Sequence, residues 1–213
     1  MALSKIQTGL VDTNAIGATE LNLADNFAFT GDVTGAGTWV HIKTLSGTNV
    51  SSLDFLNGSN GVIFDDTYDV YEFIIHHAFN INGGGSFHAT PAQTSSTFSD
   101  TNTEMTRSRT IFENGTANFN TGNNTNQGIM RTYLNLGTGA GNPIGGRVQV
   151  RMPWDTSYKT LCMYDNSGRD NSNYYREIGT GNLTTVGRTY GVRFRAESGN
   201  TTAKISLYGI SYS

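Results

Sequence analysis

From Thr38 onward the chain alternates between apolar and polar side chains with a period of two, and each run stops at Gly, Asn, Asp or Ser. That period marks strands with one buried face, and the stops mark turns. The densest stretch is Gly61 to His77, GVIFDDTYDVYEFIIHH. It predicts a strand at Val62-Ile63-Phe64, an acidic turn over Asp65, Asp66 and Asp69, and a second strand from Val70 to Ile75. The second strand is apolar on both faces apart from Glu72, which predicts a central place in a packed sheet. Further strands are predicted at Thr38 to Leu45, Val50 to Leu56, Glu104 to Glu113, Arg131 to Leu136, Arg147 to Met152, Tyr158 to Tyr164 and Tyr174 to Ile178. In Arg147 to Met152, the residues Val148, Val150 and Met152 are expected inward. Tyr190 to Glu197 and Ala203 to Ile210 read as a hairpin turning at Ser198-Gly199-Asn200. Ser46 to Asn49 reads as a turn, and Thr90 to Asn102, Asn114 to Gln127 and Asp165 to Asn173 read as polar loops. Gly83 to Gly85 and Gly137 to Gly146 read as glycine loops. Roughly ten strands joined by long polar loops predict an all-β, jelly-roll-like two-sheet sandwich over residues 38–213.

Residues 1–37 follow another pattern. Leu3, Ile6, Leu10, Ile16, Leu21, Leu23, Phe27 and Phe29 are isolated among small and polar residues. No heptad is sustained, so a coiled coil is not expected. Alone, such a segment buries too little to offset the entropy of ordering it. It is expected to be an extended N-terminal arm that gains its order from a partner, through those eight apolar residues. Thr34-Gly35-Ala36-Gly37 reads as a short hinge.

Composition adds to this picture. Charged residues are only 15% of the chain and Gly numbers 26 of 213 residues, which suits short strands and tight turns. Pro numbers only 3, which argues against a disordered chain. The net charge of −3 with no basic cluster gives no footprint for nucleic acid. No apolar run reaches membrane-spanning length, and the N-terminus has no signal-peptide core, so cytoplasmic synthesis is expected.

Candidate chemistry is sparse. Cys162, the single cysteine, sits in an apolar strand-like run and is expected to be a buried, inert thiol. Asp65, Asp66 and Asp69 offer oxygen ligands but not in calcium-loop spacing, so a plain turn is expected. His76 and His77 are adjacent and point to opposite faces of a strand. His41 and His76 are able to meet across strands, in a hydrogen-bonded structural role. No zinc spacing, nucleophile elbow or phosphate loop occurs in the sequence, so no metal, no cofactor and no enzymatic activity are expected; a polysaccharide-degrading enzyme, whose acid pair any fold can assemble without a motif, is the least favoured reading. Trp154, Tyr158, Tyr174 and Tyr175 lie near polar loops; if exposed, their rings would stack on sugars.

Two stretches carry a resemblance: ALSKIQ at the start, and LNLADNFAFTGDVTGAG leading into TWVHIKTLSGTNVSSLDFLNGSNGVIFDDTYDVYEFII. Together they resemble virion structural proteins of aquatic tailed bacteriophages, cyanophages among them, in which a phage-specific arm precedes an all-β module. It covers about the first 75 residues well and the C-terminal strands loosely. The resemblance implies a head fibre, capsid decoration or tail fibre component, located in the virion. It also implies attachment through residues 1–37 to other virion proteins, and, by analogy, a homotrimer. The alternative is an adhesin gripping a host surface glycan.

Overall fold

The computed structural model describes residues 39–81, 85–113, 116–132, 142–170 and 173–211. The expected arm, with its eight apolar residues, lies outside the described residues.

Among the described residues there are twelve strands: β1 (Trp39–Val50), β2 (Leu53–Leu56), β3 (Val70–Asn80), β4 (Phe87–Pro91), β5 (Thr103–Glu113), β6 (Thr116–Thr125), β7 (Met130–Arg131), β8 (Ile144–Arg151), β9 (Leu161–Asp170), β10 (Asn173–Leu183), β11 (Gly191–Ala196) and β12 (Thr201–Ile210). They form two antiparallel sheets, a sandwich. The large sheet has the order β1-β12-β3-β8-β9-β10-β5-β6, and the small sheet β2-β11-β4-β7. The chain crosses between sheets at β1 to β2, β2 to β3, β3 to β4, β4 to β5, β6 to β7, β7 to β8, β10 to β11 and β11 to β12. The hairpins β5–β6 and β9–β10 join edge to edge and extend the large sheet by four strands beyond β8.

The antiparallel register divides the strand ends into two sets. Trp39, Ile210, Val70, Arg151, Leu161, Asn182, Glu104 and Thr125 form one transverse row across the large sheet. This row and the loops beside it, residues 57–69, 92–102, 152–160 and 184–190, are here called the base; the opposite end is the top.

The core shows why β3 is central. Tyr71, Phe73 and Ile75 face the small sheet and are fully or almost fully buried, as are Phe55, Phe64, Phe87, Phe194, Ile205 and Leu207. Phe73 packs edge-on against Phe55 at 5.2 Å and Phe194 at 5.1 Å between ring centroids. Such tilted contacts between rings add to their area burial.

Several expectations are corrected. Val62-Ile63-Phe64 is not a strand: Val62 and Phe64 are buried, but the segment pairs with no neighbour, and Asn57 Oδ1 accepts the Phe64 N–H at 2.9 Å. The Ser46–Asn49 turn is instead part of β1, with a register shift between Gly47 and Val50. Within the expected loop of residues 114–127, Thr116–Thr125 form β6, and within that of residues 165–173, residues 165–170 belong to β9 and Asn173 opens β10. These segments lack apolar alternation because pairing to a neighbouring backbone, rather than burial of side chains, holds them. Ile144 to Gly146, placed in a glycine loop, starts β8. Met152 is not inward; it is 40% exposed at φ 47, where the chain leaves β8. Finally, β11 and β12 are not a hairpin. Each keeps its expected faces, but they lie in different sheets, and residues 197–200 arch between them.

Candidate functional site

The four aromatic residues expected to meet a sugar do not share a surface. Tyr175 is buried, facing inward from β10, and Tyr174 beside it is 58% exposed at the top, with the Arg169 guanidinium 5.3 Å from its ring centre. Tyr158 is 63% exposed at the base. Tyr174 pairs with Arg169, at the far end of β9 from Tyr158. A strand rise of about 3.3 Å per residue separates the two by roughly 25 Å. Trp154 is half-buried in the base loop.

The base has a composition that no short motif announces. Trp39, Val40, Ile63, Met152, Tyr158, Leu161 and Val186 are all at least 40% exposed. Trp39 and Leu161 belong to the base row itself, and Met152, Tyr158, Ile63 and Val186 to its loops. The loops are tied together by backbone bonds: Thr189 N–H to Pro153 O, Met152 N–H to Asp69 O at 3.2 Å, and Thr184 N–H to Asn102 O. Trp39 also packs against Tyr208, at 5.9 Å between centroids. Exposed large apolar residues gathered at one end, rather than scattered, mark a surface that meets something else. Trp39 is where residues 1–38 join the sandwich.

Leu161 and Met163 continue the apolar strip up the outer face of the large sheet to a hollow of ≈ 120 Å³, lined by Arg147, Gln149, Met163, Tyr164, Asp165 and Ile178. Arg176 grips Asp165 through two hydrogen bonds, of 2.9 and 2.7 Å, and holds its carboxyl below the usual range. On the same face Glu72 is fully buried; its Oε2 accepts from Gln149 Nε2 at 2.9 Å, and Arg147 Nη1 stands 4.0 Å from Oε1.

The outer face of the small sheet is built from paired charges. Arg193 binds Asp54 through two hydrogen bonds, of 2.8 and 2.6 Å, and lies over the Phe98 ring. Arg195 binds Asp100 at 2.9 Å, and Arg131 pairs with Glu197. Between Arg131 and Arg195, in register with both, His88 is buried. Burial first, then the positive charge of Arg131 and Arg195, lowers its pKa to about 4.

The remaining candidates lie in local hydrogen-bonded or buried settings. His41 and His76 are joined through two hydroxyls: His41 Nε2 to Thr44 Oγ1 at 2.8 Å, Thr44 Oγ1 to Ser206 Oγ at 2.7 Å, and Ser206 Oγ to His76 Nε2 at 2.8 Å. This Ser–His contact joins β12 to β3. Asp65 Oδ1 accepts from Thr67 N and Thr67 Oγ1, at 3.0 and 2.6 Å, closing its own turn. Cys162 is fully buried, and burial raises its thiol pKa far above the ordinary value. Among the described residues no group of three His, Cys, Asp or Glu is placed to hold a metal ion.

No family model, no curated protein and no solved structure matches the chain.

Proposed function

We propose that the protein is a structural component of a tailed-phage virion, a head fibre, capsid decoration or tail fibre part. In this reading residues 1–37 attach it and the sandwich is displayed on the particle. The supporting observation is the crowding of Trp39, Met152, Tyr158, Leu161 and Val186 at the end where the chain enters the sandwich. An anchored module needs its apolar contact at the attached end and a polar free end. We read the order β1-β12-β3-β8 facing β2-β11-β4-β7 as a jelly roll with two hairpins added. Jelly rolls recur in viral capsid and lectin domains, but a fold alone fixes no function. The likeness of the first 75 residues to aquatic phage proteins favours the virion reading, with a homotrimer as the expected unit.

The test is deletion of residues 2–37. The truncated chain should fold, keep its melting temperature and fail to join particles; incorporation at the wild-type level would overturn the reading. The second reading is an adhesin for a host surface glycan, favoured by the exposed Tyr174 beneath Arg169 at the top. Adsorption blocked by the isolated chain, and restored by Tyr174→Ala, would select it.

A further inference from the structure

Among the described residues the two sheets present four edge strands, β1 and β6 in the large sheet and β2 and β7 in the small one. An edge strand offers unpaired N–H and C=O groups to any other strand, and proteins blunt edges with short length, charge, Pro or bulges. Three of the four edges here are blunted. β2 has four residues and β7 two. β1 has register shifts between His41 and Lys43 and between Gly47 and Val50, with Lys43 at the first of them. β6 has none of these devices. Its ten residues, TANFNTGNNT, contain no charge and no Pro, and they pair with β5 through ten consecutive residues without a shift. Near its middle stands Phe119, 72% exposed, the most exposed large apolar side chain among the described residues.

We infer that β6 is an interaction edge that pairs antiparallel, about a two-fold axis beside Phe119 to Thr121, with β6 of a second copy of this chain. Self-pairing fits the strand on three counts. An uncharged strand places no like charges opposite each other across the axis. An axis at this position sets the two Phe119 residues opposite or diagonal to one another on one face, within reach of aromatic side chains. An unbulged strand continues the ladder along its whole length, joining two large sheets into one. A contact of this kind is isologous and links copies in twos, so it differs from the three-fold contact expected of a fibre and is independent of the virion reading. Pairing along a single edge buries less than the ~1,200 Å² of a stable interface. The association is therefore weak in dilute solution and is set by concentration.

The experiment uses the full chain. Single-cysteine variants at Ala117, Phe119, Thr121 and Asn123 are treated with a short bis-maleimide; Cys162 is buried and does not compete. Cross-linked dimers should form with a maximum at Phe119 or Thr121, and His41→Cys on the β1 edge should give at least tenfold less. Thr121→Lys places two lysines together at the axis. It should weaken self-association, followed by sedimentation over a concentration series, about tenfold while leaving the melting curve unchanged. Cross-linking that is equal at His41→Cys, absence of any association up to millimolar chain, or association unaffected by Thr121→Lys would each overturn the inference. Cross-links from β6 cysteines to Phe27→Cys in place of β6-to-β6 dimers would also overturn it, making the arm the occupant.

Discussion

The large sheet has two halves built on different terms. Over β1, β12, β3 and β8 it faces the small sheet, and the space between is filled with rings and aliphatic chains: Phe55, Phe64, Phe73, Phe87, Phe194, Ile205 and Leu207. In the other half, of β9, β10, β5 and β6, the small sheet contributes its β7 edge over β9 and β10: Met130 lies against Asn166, and a Cβ at Gly181 would strike the Ile129 backbone. The inward side chains there include Arg109, Glu177, Asn166, Tyr164 and Tyr175, all buried. Glu177 is in register with Arg109, and Tyr164 reaches across β10 to the Thr106 carbonyl, at 3.3 Å. Gly179 permits that reach, because a Cβ there would run into the Tyr164 ring and the Thr106 carbonyl. Asn166 Nδ2 contacts the Met130 sulfur at 3.0 Å. One half is held by apolar area alone, the other by apolar side chains such as Met105, Ile111 and Cys162 mixed with buried polar and charged groups. The difference teaches that a sheet extended sideways past the middle of its facing layer can carry polar and charged groups on its inner face, each of which needs a partner there.

Three measurements break or sharpen this contrast. The largest effect is expected from Phe73→Ala, at the centre of the ring cluster. Loss of transfer energy plus a cavity should cost about 3–5 kcal/mol in urea unfolding. A cost under 1 kcal/mol would mean that the apolar half does not carry the fold. Next, Glu177→Leu should cost about 3 kcal/mol, since it leaves the Arg109 guanidinium buried with its facing charge gone. Adding Arg109→Met should recover a large part of that loss. No recovery in the double variant would show that the two residues do not act as a pair. A smaller effect comes from His88. Its folded pKa of about 4 lies below the ordinary value of 6.5. Between these values the unfolded chain takes up a proton that the folded chain refuses, so stability should be full above pH 6.5 and fall as the pH drops toward 4. The whole loss should be roughly 3 kcal/mol. His88→Phe should flatten that part of the stability profile, and an unchanged slope would show that another group is responsible.

The apolar half could be read from the residues alone. The two-sided run Val70 to Ile75 announced the central strand, and the alternation in Tyr190 to Glu197 and Ala203 to Ile210 gave the right faces. The extension could not be read in the same way. In β6, and in β9 after Tyr164, polar residues occupy both faces, so no period distinguishes strand from loop. Their evidence lies in a partner backbone distant in sequence. Ser198-Gly199-Asn200 failed for a different reason: the same turn residues serve a hairpin or an arch, and only the facing sheet decides. The apolar base escaped notice because its members come from β1, β9 and three loops, brought together by register and not by spacing. The tyrosines were separated by the same register, Tyr158 at one end of β9 and Tyr174 at the other.

The pairing of β1 with β12 has a consequence during synthesis. Trp39 bonds in register with Ile210, 171 positions later, and among the described residues β12 is the only strand that β1 meets in the large sheet. A ribosome adding about 5–20 residues per second leaves β1 without its mate for roughly ten to thirty seconds. Throughout that interval Trp39 and Val40 are displayed on a nascent strand with both flanks open. The bulges and the lysine of β1 thus protect the chain while it is still being made, before there is a finished sheet for them to guard.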